Sequence, residues 1–178
     1  FEKNTKKIQN FFNYGAPLSI WLGISISLNF LDRYFIEYYF GSSLMGSYAG
    51  FSEFIIRIFS IVIFPITLAV HPILMNKWNK NKNISDSLNA LFQASLLQIS
   101  ICIFMLIPLL IFKDSIFSFI QAIIPQLDNS MKGIMIPIFL GGFLWQLALV
   151  LHKPLEIEER TLSMVGCIMV SLVINIIG

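Results

Sequence analysis

Charge is what this chain has least of. Only 12% of its 178 residues are Asp, Glu, Lys or Arg, about half the usual share of a soluble domain. A soluble fold of this length needs a charged coat, and there is not enough charge here to make one. The chain is therefore expected to meet an apolar solvent, the bilayer. Cysteine is nearly absent. Cys102 and Cys167 both fall in apolar runs and read as small packing residues, with no disulfide framework and no metal-ligand spacing. The net charge of +2 and the scattering of lysines in short clusters exclude a nucleic-acid partner. No phosphate loop, dinucleotide fingerprint or Ser-His-Asp pattern occurs, so neither an enzyme nor a cofactor is expected. No signal-peptide pattern opens the chain. It begins at Phe1 and stops at Gly178 within an apolar run, and is expected to be a piece of a longer protein.

What the chain has in abundance is apolar sequence, 56% of all residues. Five runs stand out, at about 17–40, 49–75, 88–112, 131–151 and 161–177. A spanning helix needs about 20 residues, and the last run is marginal. Helices are the default, because backbone amides in lipid must be bonded within their own segment. The expected fold is all-α, a polytopic bundle over residues 15–178. A polar lead-in, residues 1–14, carries aromatics at surface-helix spacing and is expected to lie along the interface.

Basic residues set the orientation. Lys3, Lys6, Lys7, Lys77, Lys80, Lys82, Lys153 and Arg160 fall on one side of the five runs, and only Lys113 and Lys132 on the other. The positive-inside rule places the N-terminal flank of this segment in the cytoplasm. Asn83-Ile84-Ser85 matches a glycosylation sequon but falls in a loop expected to be cytoplasmic. Between the third and fourth runs, Ile116, Phe117, Phe119, Ile120, Ile123 and Ile124 suit a short amphipathic helix at the outer interface, ended by Pro125.

Polar residues inside the runs are the most informative. In the first run Ser25, Asn29, Arg33 and Glu37 repeat every four residues, with Asp32 beside them. In the second, Glu53, Arg57, Ser60, Phe64, Thr67 and His71 step by four and three, which predicts one face down the whole helix. Pro65 predicts a kink in it. Ionised groups at such depth need a partner or a wet cavity. The alternative is an interfacial Glu53–Arg57 pair, with Arg33 snorkelling to headgroups. Gln93, Ser95, Gln98 and Ser100, then Gly141, Gly142, Trp145 and Gln146, then Ser163, Cys167, Ser171 and Asn175 read as helix-packing surfaces with interhelical hydrogen bonds.

Two stretches carry a family resemblance. Tyr14, Gly15 and Pro17, then Asn29, Asp32 and Arg33, then Gly41, Gly46 and Tyr48 resemble the seventh membrane helix of bacterial polysaccharide and O-antigen flippases of the MOP (MATE-like) exporter superfamily. Lys153, Pro154, Leu155, Glu156, Thr161 and Asn175 resemble the segment joining that family's tenth and eleventh helices. Glu53 and Arg57 are less clearly part of the shared pattern. The resemblance implies most of the second lobe of a two-lobe, twelve-helix transporter of the bacterial inner membrane, the first-lobe helices lying elsewhere in the same protein. It implies alternating access that flips a lipid-linked (undecaprenyl-pyrophosphate) oligosaccharide across that membrane during surface polysaccharide biosynthesis.

With that cargo, Arg33 and Arg57 are expected to attract the diphosphate. Asn29, Ser60 and Thr67 are expected to meet sugar hydroxyls, and Asp32 or Glu53 to take part in coupling to H+ or Na+. Membrane lipids are the other expected partners. The alternatives are a multidrug or peptidoglycan-precursor exporter of the same superfamily, a membrane-embedded polysaccharide polymerase or acyltransferase, and a structural membrane subunit.

Overall fold

The computed structural model describes the backbone of residues 2–81 and 84–177. It describes the side chains of residue 9 and of residues 12–177 other than 29 and 78–86. Lys82 and Asn83, and the side chains of Lys3, Lys6, Lys7, Asn29, Lys80 and Ser85, lie outside what is described. Helix accounts for 91% of the structure, with no strand among the described residues. Among the described residues, eight helices follow in order: α1 Glu2–Phe40, α2 Ser42–Val62, α3 Phe64–Asn81, α4 Ile84–Ile111, α5 Lys113–Ile123, α6 Met131–Leu151, α7 Lys153–Ile157 and α8 Thr161–Ile177.

Four stretches are long and apolar enough to cross a membrane: Phe12–Phe40, Ser42–Val62, Ser87–Ile111 and Met131–Ile157. The expected fifth, α8, has 17 residues and spans about 26 Å, a few ångströms short of the hydrocarbon core. Residues 2–14 of the lead-in are continuous with the first span in one 39-residue helix, α1. Nothing between residues 10 and 20 breaks it, because Pro17 is the sole proline and an isolated proline can be absorbed within a membrane helix. Gly41, at φ +86°, separates α1 from α2 with a single residue. An L side chain is strained there.

The chain divides into two units, residues 36–151 and residues 1–35 with 152–178. In the first, α2 and α6 carry matched stripes. Phe51, Ile55, Phe59 and Ile63 are buried at every fourth position, and so are Met131, Met135, Phe139 and Phe143. Ser47 Oγ donates to the Gln126 carbonyl at 2.9 Å, and the Phe59 ring packs tilted against Phe139 with ring centroids 4.8 Å apart. Contacts thus advance together along both chains, so α2 and α6 run parallel. A Cβ at Gly142 would stand 3.1 Å from the Phe59 ring, which is why glycine serves at this crossing.

Helices α3 and α4 form an antiparallel pair. Gln98 Nε2 donates to Thr67 Oγ1 at 3.2 Å. That register sets Ile63 opposite Cys102, Val70 opposite Ser95 and Leu74 opposite Leu91, and all of these are buried. The other face of α4, Leu88, Phe92, Leu96, Ile99, Ile103, Ile107 and Leu110, is exposed. Asn89, Gln93 and Ser100 are exposed beside it, but an outward surface this rich in Leu, Ile and Phe belongs in lipid, where exposed Leu and Ile carry no penalty. Short α5 forms where its apolar spacing and Pro125 place it, and buries Phe117 and Ile120. Phe117 meets Phe51 edge-on at 6.3 Å, so the helix packs into its unit's core.

In the second unit, α7 begins immediately after His152. Lys153 Nζ donates to Glu156 Oε2 at 2.7 Å, and His152 Nε2 lies 3.7 Å from the same oxygen. The His152 ring packs against Trp21 of α1, with centroids 4.9 Å apart.

Candidate functional site

The second expected span is where sequence and structure differ most usefully. It is two helices. Ile63 separates them, because Pro65 has no N–H for the Ile61 carbonyl. The Ile66 amide, which would serve Val62 in a continuous helix, instead donates to the Ile63 carbonyl at 3.0 Å. The Thr67 amide donates to that same oxygen at 3.3 Å.

The break splits the predicted polar face. Arg57 and Ser60 are exposed on the side of α2 away from the Phe51–Ile63 stripe, Glu53 is partly exposed, and Phe64 is exposed at the start of α3. Thr67, one turn beyond the break, turns inward instead and is consumed by Gln98. His71 follows it into a half-buried position. One face does not run the whole length, because losing the i→i−4 bonds at Pro65 lets α3 take its own rotation. Thr67 therefore does not share an open face with Arg57 and Ser60. Ser60 Oγ donates to the Ile56 carbonyl at 2.9 Å, leaving its oxygen lone pairs as acceptors.

In the other unit Asp32 Oδ1 accepts from Asn175 Nδ2 of α8 at 3.2 Å. This joins two residues that sequence spacing had placed on separate surfaces. Arg33 sets its guanidinium 5.7 Å from the Phe30 ring centroid, a cation–π distance. Asn29, Asp32 and Arg33 thus belong to one unit, and Glu53, Arg57, Ser60 and Thr67 to the other.

Sequence reasoning gave Gln98 and Gln146 only a packing role, yet both amides are buried, at 0% and 5% exposed. Each leaves Oε1 unpartnered, as Ser95 leaves Oγ and His71 leaves Nδ1. The usable signal was an uncharged amide in the middle of an apolar run, which lipid does not tolerate without a partner.

Asp114 of α5, outside the spans, pairs with Lys132 in the first turn of α6 at 2.8 Å. The hydrogen bond and positive charge of Lys132 hold the Asp114 carboxyl below its ordinary range. Hydrogen bonds from Ser130 do the same for Asp128. Among the described residues, no three His, Cys, Asp or Glu side chains are grouped to hold a metal. Compared with known proteins, the chain matches no family model, no curated protein and no solved structure.

Proposed function

We propose that the chain is part of a transporter that flips a lipid-linked oligosaccharide across the bacterial inner membrane by alternating access. The observation that carries this reading is the face of α2. Arg57 and Ser60 stand exposed on a spanning helix whose opposite face is a continuous apolar stripe. A guanidinium held at that depth against lipid costs about 2.5–3.5 kcal/mol. Water in a central cavity removes that cost, and a diphosphate passing through it meets a bidentate donor. The cargo's sugars and diphosphate cannot enter hydrocarbon, while its polyprenyl tail stays in lipid, so a cavity open to one side suits such a substrate.

Arg33 and Arg57 are assigned to the diphosphate, and Asn29 and Ser60 to sugar hydroxyls. Asp32 and Glu53 are assigned to coupling with H+ or Na+. The resemblance of the Tyr14–Gly50 segment and of the Lys153–Asn175 segment supports the substrate class. The N-terminal flank of the segment is assigned to the cytoplasm by its lysines.

The test replaces Arg33 and Arg57 together by Ala in the full-length protein. Loss of surface polysaccharide with normal membrane insertion is the expected result. Normal surface polysaccharide in the double variant would refute the cavity role. Export of hydrophobic drugs with no effect on glycan would favour the multidrug alternative.

A further inference from the structure

The turn at α7 gathers ionisable side chains that the transport reading does not use, all within the unit of residues 1–35 and 152–178. Glu156 Oε2 accepts from Lys153 Nζ at 2.7 Å and has His152 Nε2 3.7 Å away. The His152 ring also packs on the Trp21 indole of α1, with centroids 4.9 Å apart and planes tilted by 34°. His152 therefore links α1 to α7. Its side chain is 16% exposed, that of Lys153 18% and that of Glu156 21%, so solvent screens these charges little. The backbone holds them in place. The Leu155 and Glu156 amides donate to the His152 carbonyl at 3.0 and 3.3 Å, and the Arg160 amide closes the turn on the Leu155 carbonyl at 2.8 Å. What is left to change on this turn is protonation.

An ordinary imidazole changes charge between about pH 5 and 8. Neutral, His152 offers Trp21 a ring–ring contact. Protonated, it sets a cation at cation–π distance from the indole and beside the Glu156 carboxylate, which favours the charged form. Lys153 opposes the added charge. The turn as a whole accepts it: residues 152–160 carry Glu156, Glu158 and Glu159 against Lys153 and Arg160, so a protonated His152 brings them to neutrality. Arg160 is engaged with Glu158 at 3.1 Å. Of the described side chains of α1, Tyr14 lies in electrostatic reach of Glu156 and Glu159, and a phenol is uncharged over this range. Helix α8 carries no Asp, Glu, Lys, Arg or His, and the one charged residue of α6, Lys132, lies at its opposite end.

We propose that His152 is a proton-operated latch between α1 and α7. Its protonation strengthens its hold on Trp21 and Glu156 together and tightens α1 against the turn; its neutralisation loosens that contact. The contact is tight on the acid side of the imidazole titration and loose on the alkaline side. The proton here sets a contact between two helices, so the latch works whatever cargo is carried and is distinct from the ion coupling assigned to Asp32 and Glu53.

The full-length protein in lipid nanodiscs tests this with two probes. Fluorotryptophan is incorporated, and its fluorine NMR resonances are followed between about pH 5 and 8. The resonance absent from Trp21→Phe marks Trp21. It is expected to move with one midpoint in the unaltered protein and to stand still in His152→Gln. Glu156→Gln is expected to shift that midpoint to lower pH, because the carboxylate that favours the imidazolium is gone. The second probe is a nitroxide at Ser19→Cys, with Cys102 and Cys167 replaced by Ala. Its motion is expected to be slower at the acid end than at the alkaline end, and equal at both in His152→Gln. A Trp21 resonance that does not move with pH in the unaltered protein would overturn the proposal. So would a titration that persists in His152→Gln, or nitroxide motion that is the same at both ends with His152 present. The first readout leaves His152 and Glu156 in place, so a variant that fails to fold leaves the test intact.

Discussion

Single side chains decide two features of this protein. Gly142 lets α6 approach the Phe59 ring, whereas Gly141 faces open space. Gly142→Val should cost about 1–3 kcal/mol by overpacking, and Gly141→Val should cost far less. Thermal unfolding in nanodiscs compares them directly, and equal losses would contradict the crossing. Asp114 gives a pH signature. Lys132 holds its carboxyl below the ordinary range. The pair's stabilisation is therefore complete above the unfolded carboxyl's pKa, about 3.9, and is lost as pH falls through the lowered folded value. Both groups are exposed, so Asp114→Asn should change little at neutral pH. It should remove one low-pH step from a carboxyl-carbon NMR titration. An Asp114 that titrates at or above the ordinary value would contradict the pair. Composition could not reveal this ion pair, because it joins α5 to α6 across a turn whose path depends on packing.

Among elements, the break at Ile63 matters most. Pro65→Ala restores a donor for the Ile61 carbonyl and should let α2 and α3 merge into one helix. Insertion and thermal stability should hold, while the glycan export proposed above falls severalfold if the hinge moves during transport. Unchanged export would show that the kink is only a static bend. Long elements were legible in the sequence because length and hydropathy define them. Met131–Leu151 and Thr161–Ile177 fall where the apolar runs place them, and Pro125 closes α5 as its ring requires. The kink was legible too, since a proline in a helix always removes one bond. What was not legible was its rotational consequence. A helical wheel assumes one continuous helix, so it kept Thr67 on the face of Arg57. In the structure Thr67 turns to Gln98. Nor does the wheel distinguish an amide that packs from one left with a spare acceptor, because the difference lies in what the neighbouring helices offer.

Taken whole, the molecule is inverted relative to a soluble fold. Phe104, Ile111, Ile61 and Leu144 stand on its outside, while Gln98 and Gln146 are inside. Apolar burial gives little drive between helices in lipid, so van der Waals fit and a few interhelical hydrogen bonds hold the bundle. The proposed pathway requires the polar face of α2 to meet water within the membrane. Cysteine accessibility tests this most directly, after Cys102 and Cys167 are replaced by Ala. Single variants Arg57→Cys, Ser60→Cys, Ile103→Cys and Ile107→Cys are exposed in intact membranes to a small, charged methanethiosulfonate. The prediction is modification at positions 57 and 60 within minutes and none at 103 and 107. Protection at 57 and 60 equal to that at 103 and 107 would mean that this face lies against lipid or protein, and would contradict a water-filled pathway.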